Sequence, residues 1–158
     1  MNDVIFSRVL HVLGVVTWIG GVAMVTTVVL PAVRRGGLGP DWLQAFEAIE
    51  RRFAWQARVA ILVVGASGFY MAARLNLWDR FRSAEFWWMH AMVFVWLLFT
   101  LGLFIVEPFV IKGRFNGWAA AKPARTFAWL NIIHWGLLAL SLGTIAGAVA
   151  GSQGWPLF

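Results

Sequence analysis

Four long stretches of the chain carry almost no charged residues, and they set the predicted architecture. Each is as long as the roughly 20 apolar residues that a helix needs to cross the hydrocarbon core of a bilayer. None alternates between apolar and polar residues, as a transmembrane strand would. The predicted helices cover residues 9–33, 53–73, 86–111 and 126–150. The pattern therefore predicts an all-α fold, an integral membrane four-helix bundle, built as a single membrane domain over residues 1–158.

The connection between the first two predicted helices has a pattern of its own. Its first part, Gly36-Gly37-Leu38-Gly39-Pro40, predicts a turn. Asp41 follows as a predicted helix N-cap, and apolar residues from Trp42 to Phe53 then recur at helical spacing. Two interpretations stay open: a short interfacial helix over residues 41–52, or an extension of the second spanning helix.

Composition supports a membrane protein and excludes several other classes. Hydrophobic residues make up 61% of the chain and charged residues 13%, whereas soluble domains have about 45–50% and about 25%. Cysteine is absent, which excludes disulfides, iron–sulfur clusters and thiolate metal sites. The net charge of +6 comes from cations that lie between the apolar stretches. The predicted partner of these cations is therefore the lipid bilayer, and we expect no nucleic acid.

The distribution of lysine and arginine predicts how the chain is oriented. Four cations lie on the side of the termini, namely Arg8, Arg74, Arg80 and Arg82. Nine lie on the opposite side or at the start of the second helix: Arg34, Arg35, Arg51, Arg52, Arg58, Lys112, Arg114, Lys122 and Arg125. Because cytoplasmic connections are enriched in cations, both termini are predicted to lie outside the cytoplasm. In a bacterial cell this is a multi-pass protein of the inner membrane with both termini on the periplasmic side.

The three histidines all fall inside predicted spanning helices, where ionisable residues are candidates for function. His11 lies three residues from Arg8, a rise of about 4.5 Å, and His90 lies five residues from Glu85, about 7.5 Å. These two histidines therefore share one leaflet. His134 lies nine residues from Arg125, about 13 Å from the other face. His11 and His90 are the better-matched pair, and His134 stays open as an alternative metal ligand.

Two imidazoles in an apolar bundle suit a haem b, which needs axial ligands, an apolar slot and cations for its propionates. One stripe of the first helix contains His11, Gly14, Trp18, Gly21 and Val25, and its glycines would leave room for a flat macrocycle. The alternative role of these glycines is close helix packing. The predicted cofactor-binding residues are His11, His90, Arg8, Gly14, Trp18, Gly21, Asn131 and Arg74. Arg8 and Arg74 would meet the propionates, and Asn131 could orient His134.

Methionines near His90 give a competing interpretation. Met71, Met89 and Met92 lie toward the same side of the membrane, and thioether and imidazole ligands suit Cu(I). Methionine also fills gaps in apolar cores. Copper is therefore the alternative cofactor.

Three short segments resemble a known superfamily. The first, Leu10-His11 … Trp18-Ile19-Gly20-Gly21 … Leu30-Pro31, resembles the first helix of the CopD-type membrane domain and of the HemJ-type protoporphyrinogen oxidases. The other two segments are Trp88-Met89-His90 and Phe127 … Leu130-Asn131. The resemblance implies a four-helix membrane domain with histidine-bound haem at His11 and His90, or copper handling in the CopD branch.

Two positions depart from the HemJ-type pattern. Met92 stands where those proteins have a lysine, and Ile132 stands where they have a glutamate. Both are polar groups expected near the porphyrin, so their absence argues against protoporphyrinogen oxidation.

The sequence therefore favours a membrane cytochrome b that uses a bis-histidine haem for electron transfer or redox sensing. Its electron partner would be quinone or a periplasmic redox protein. The alternatives are a copper-handling CopD-like protein, a HemJ-like oxidase, and a homo-oligomer or a structural subunit of a larger complex. Whether the protein is a redox enzyme or an electron carrier stays open.

Overall fold

The structure, a computed structural model, describes residues 1–37, 39, 41–111 and 114–155. In those residues it is helical almost throughout and has no strand. Helix α1 covers Asn2–Arg34, α2 Trp42–Arg74, α3 Trp87–Leu101 with a π-helical continuation over Gly102–Ile111, α4 Phe115–Ala121, and α5 Pro123–Ser152. Helices α1, α2, α3 and α5 are long and apolar enough to cross a membrane. The predicted all-α fold is thus confirmed for the described residues, and four of its helices have the length and apolar composition predicted for membrane spans.

Helix α2 is a single uninterrupted helix of 33 residues, Trp42–Arg74. A separate interfacial helix over residues 41–52 is therefore not formed, and the alternative, an extension of the second spanning helix, describes the chain. Asp41 does occupy the N-cap position, but its side chain makes no capping hydrogen bond. The continuity follows from the sequence, because no glycine or proline interrupts the first turns of α2.

Two spanning helices widen into π-helical turns, and each does so beside a proline. In α1 the π turn covers Val25–Val29, directly before the turn that holds Pro31. In α3 the wide segment Gly102–Ile111 contains Pro108. A proline has no N–H and its ring clashes with the preceding turn of a regular α-helix. Widening the turn lets each helix continue past its proline.

Both termini of the described chain lie at one end of the bundle, which we call the terminal end. There Arg74, the last residue of α2, pairs with Asp3 near the start of α1. At the same end Trp88, near the start of α3, packs on Gly151, near the end of α5. We call the opposite end, which holds Arg34 and Arg125, the basic end.

Glycines let the spanning helices approach one another closely. A Cβ added at Gly14 of α1 would lie 2.7 Å from Cγ2 of Val64 in α2. A Cβ at Gly65 of α2 would lie 2.6 Å from Nε1 of Trp96 in α3, and that indole donates to the Ile61 carbonyl at 3.0 Å. Lipid tails are as apolar as leucine, so such packing, rather than the hydrophobic effect, stabilises the helix pairs.

The buried side chains form two clusters, one in the middle of the bundle and one toward the basic end. The middle cluster includes Trp18 and Ile61, which are 3% and 0% exposed. The cluster at the basic end includes Phe46 of α2 and Phe127 of α5, whose ring centroids lie 5.2 Å apart in an edge-to-face arrangement. The clusters join all four spanning helices and fix the relative depth of their residues.

Gly21 and Gly20 offer a matched test of glycine-mediated packing. The Phe53 ring of α2 occupies the space where a Cβ at Gly21 would lie, whereas nothing lies within 4 Å of a Cβ at Gly20. We expect Gly21→Val to lower the free energy of unfolding by about 2 kcal/mol through overpacking. Gly20→Val adds the same side chain on the exposed face and should change it by less than about 0.5 kcal/mol. Unfolding by SDS titration in detergent measures both, and equal effects would contradict the packing described.

Candidate histidine site

His11 lies in the half of α1 nearest the terminal end, and its imidazole is partly buried against α2. Its Nδ1 lies 3.0 Å from the Val64 carbonyl oxygen and 3.2 Å from the Ser67 hydroxyl. A carbonyl oxygen can only accept a hydrogen bond, so Nδ1 carries the proton of the neutral ring. The other ring nitrogen, Nε2, keeps its lone pair and makes no hydrogen bond within the described chain.

Helix α2 provides a platform for this ring, which we call the His11 platform and define as Val64, Ser67 and Gly68. A Cβ at Gly68 would lie 3.1 Å from His11 Cε1, a tight contact that would shift the ring by a few tenths of an ångström. The Ser67 hydroxyl donates to the Val63 carbonyl at 2.6 Å. The sequence indicated only helix packing for Gly68, since nothing along the chain relates it to a residue 57 positions earlier.

The two arginines predicted to meet haem propionates differ in their surroundings. Arg74 is engaged by Asp3, with 3.0 Å between its Nε and the carboxylate, and Tyr70 donates to the same carboxylate at 2.8 Å. Arg8, one turn from His11, is exposed and forms no ion pair in the part of the chain that the structure describes. Of the two guanidinium groups, the one of Arg8 is therefore the one free to meet an anion.

His90 has different surroundings from His11. Its Nε2 lies 2.9 Å from the Phe81 carbonyl, in the connection before α3, and its ring meets the Phe81 ring edge-to-face at 5.5 Å. The imidazole is exposed, on the same face of α3 as Phe94 and Leu97, which are 58% and 43% exposed. No hydrogen bond or ring contact among the described residues joins it to His11, and their joint ligation of a haem stays a prediction.

His134 in α5 resembles His11 in one respect. Its Nδ1 lies 2.8 Å from the Leu130 carbonyl, one turn earlier in the same helix, so its Nε2 again keeps the lone pair. Asn131, predicted to orient this ring, makes no hydrogen bond to it. The Asn131 Oδ1 is instead buried without a partner.

The glycine stripe of α1 is filled by α2. Val64 takes the space beside Gly14 and Phe53 the space beside Gly21, so the alternative of close helix packing describes these glycines. Trp18, on the same stripe, packs edge-to-face on Phe99 with ring centroids 4.8 Å apart. Its Nε1 is buried and, like Asn131 Oδ1, lacks a hydrogen-bond partner among the described residues.

The residues of the copper alternative are more buried than His90. Met89 is 8% exposed, and Met71 and Met92 are partly buried. Within the described ranges no three histidine, aspartate or glutamate residues lie close enough together to hold a metal ion.

The last group of polar side chains in the spanning region is an ion pair between α2 and α3. Arg58 lies near the start of the second predicted spanning helix and Glu107 within the third. In the structure Arg58 pairs with Glu107. Its Nε and Nη2 also donate to the Leu103 carbonyl at 3.2 and 3.1 Å.

The reason for this contact is the missing amide hydrogen of Pro108. In a π-helix the N–H of a residue donates to the carbonyl five residues earlier, which for position 108 is Leu103. Proline cannot donate, so the Arg58 guanidinium satisfies this carbonyl instead. The sequence could not reveal the contact, because it depends on the π-helical register of Gly102–Ile111.

No family model matches this chain, and neither the characterised proteins nor the solved structures contain a match to it.

Removing Arg58 should destabilise the bundle strongly. Arg58→Leu leaves the Glu107 carboxylate and the Leu103 carbonyl without their donor, and the two charged side chains are only 25% and 23% exposed. We expect a loss of about 3 kcal/mol in the free energy of unfolding. The matched control is Arg52→Leu, an exposed residue of the same helix without an ion pair in the described chain.

The double variant Arg58→Leu/Glu107→Leu removes both charges and should recover part of this loss. Additive effects of the two substitutions in SDS titrations would show that the ion pair contributes nothing to stability.

Proposed function

We propose that the protein is a membrane b-type haem protein with His11 as an axial ligand, acting in electron transfer or redox sensing. One observation carries the proposal: Val64 and Ser67 hold His11 through Nδ1 and leave Nε2 available. Metal-binding histidines usually donate their other ring N–H to a carbonyl or a carboxylate, which fixes the tautomer and the ring orientation.

The residues around His11 fit one face of a haem. The His11 imidazole keeps its Nε2 unprotonated, and Arg8, which forms no ion pair with any described residue, lies one turn closer to the terminal end. His11 would hold the iron and Arg8 a propionate. A haem bound there would supply one-electron redox chemistry.

His90 is the proposed second ligand. It lies three residues after the start of α3, in the same half of the bundle as His11. Its Nε2 would have to leave the Phe81 carbonyl first. Phe81 lies in the short 3₁₀ turn Trp78–Arg82, outside the spanning helices, so this carbonyl can move without breaking a spanning helix. His134 is the alternative ligand, with its Nε2 already unprotonated.

The proposal includes a membrane orientation and a partner class. The basic end should face the cytoplasm and the terminal end the periplasm of a bacterial cell, since cations accumulate on the cytoplasmic side. His11 then lies toward the periplasmic face, where a quinone or a periplasmic redox protein would exchange electrons. The resemblance of the segment with His11 and Trp18 to the first helix of the CopD-type domain supports the proposed role of His11 as a haem ligand.

Histidine substitutions test the ligand assignment. Protein purified from haem-supplied cells should show a Soret band and split α and β bands after dithionite reduction. His11→Ala should abolish bound haem, and His90→Ala should convert a low-spin spectrum to a high-spin one. His134→Ala should leave the spectrum unchanged. An unaltered spectrum in His11→Ala, or haem-free protein that binds copper stoichiometrically, would refute the proposal.

The His11 platform allows a test that leaves the ligand in place. Gly68→Val pushes a side chain against His11 Cε1, and the misplaced ring should lower haem affinity roughly tenfold, as loss of orienting contacts does at metal sites. Gly143→Val is the matched control, because nothing lies within 4 Å of a Cβ at Gly143 in α5. Pyridine haemochrome titration gives haem per protein for both variants. Equal haem contents would show that the platform does not position the ligand.

A further inference from the structure

The two ends of the bundle differ in how their cations are neutralised, although Arg8 at the terminal end also forms no ion pair with any described residue. At the terminal end Arg74 pairs with Asp3 at 3.0 Å and Arg82 with Asp79 at 3.4 Å. Arg80 lies 4.9 Å above the centre of the Phe86 ring. At the basic end six cations form no salt bridge with any described residue: Arg34, Arg35, Arg51, Arg52, Lys122 and Arg125. Their positive charge is therefore left for an external anion.

A concave site lies among these unpaired cations. At the end of α1 a cavity of about 360 Å³ is lined by Pro31, Arg34 and Arg35. Both arginine side chains are exposed. Two guanidinium groups beside one notch can bind phosphate oxygens through paired N–H donors, a geometry that lysine does not offer.

The backbone leaves these guanidinium groups free. Arginines at a helix C-terminus often bind the last carbonyl groups. Here the backbone satisfies two of them, since Gly37 N–H donates to the Ala32 carbonyl at 2.9 Å and Gly36 N–H to the Val33 carbonyl at 3.1 Å. Gly36 has a φ of 71°, which a glycine adopts without strain. These two backbone hydrogen bonds therefore form without using either arginine side chain.

The surroundings indicate which anion reaches the notch. Trp118 of α4 and Trp129 of α5 lie toward the basic end and are 49% and 57% exposed. Indoles are enriched at the level of the lipid headgroups in spanning proteins. A cation-rich surface at that level attracts anionic lipids. We propose that the notch of Pro31, Arg34 and Arg35 binds the phosphate of an anionic phospholipid headgroup.

This proposal is independent of the haem and is tested by lipid binding. Detergent-purified protein is titrated with phosphatidylglycerol or phosphatidylcholine, and bound lipid is counted by native mass spectrometry. We expect phosphatidylglycerol to bind about tenfold more tightly than phosphatidylcholine. Arg34→Gln/Arg35→Gln should remove that preference. Arg34→Lys/Arg35→Lys, which keeps the charge but loses the planar donor pair, should remove part of it.

The matched control is Arg80→Gln/Arg82→Gln, which removes the same charge from the terminal end and should keep the affinity within twofold. An equal loss in this control would show that only net charge matters and would overturn the site. A preference for phosphatidylglycerol that persists in Arg34→Gln/Arg35→Gln would also overturn the proposed site. Inorganic phosphate is added as a competitor. Displacement of the lipid at submillimolar phosphate would show that the ligand is a free anion instead.

Discussion

The position of every candidate functional group depends on how closely the helices pack. Inside a bilayer apolar side chains gain nothing by leaving lipid for protein, so only tight packing and hydrogen bonds hold the helices together. The glycines of this chain meet that constraint by giving space to large neighbours, as Gly14 does for Val64 and Gly65 does for Trp96. The close approach at Gly14 brings α1 near enough to α2 for His11 to reach the Val64 carbonyl. The contact at Gly14 thus positions the candidate ligand as well as the α1–α2 pair.

The prolines act on the same helices in a different way. Pro31 follows a π-helical turn of α1 and Pro108 lies within one of α3, so each of these helices widens instead of ending. The widened turn at Pro108 leaves the Leu103 carbonyl without a backbone donor, and Arg58 of α2 donates a hydrogen bond to it. A cation deep in a spanning helix is costly, but here it satisfies a backbone group that lipid cannot. The Arg58–Glu107 ion pair and the missing backbone hydrogen bond at Pro108 are therefore linked through the Arg58 side chain.

The sequence predicts those structural features that a single helix determines by itself. Charge-poor length predicts the four spans, because crossing the hydrocarbon depends on length and composition alone. It left α2 undecided, since the spacing of apolar residues from Trp42 to Phe53 fits both a surface helix and a continuation. It identified His11 as a candidate haem ligand from its predicted depth in the membrane. It could not predict the His11 platform, the occupied glycine stripe or the Arg58 contact, because each depends on the register between two helices.

The carbonyls of Val64 and Leu103 accept side-chain donors for opposite reasons. The Leu103 carbonyl has no helical donor because Pro108 lacks an N–H, and the Arg58 guanidinium donates to it instead. Val64 is in an intact stretch of α2, and its carbonyl has a second lone pair for His11 Nδ1 besides the one used in the helix. The imidazole is therefore oriented without cost to the backbone hydrogen bonding that lipid demands. Such an arrangement fixes the orientation of His11 Nε2, the proposed ligating nitrogen, in advance, which a precise metal site would require.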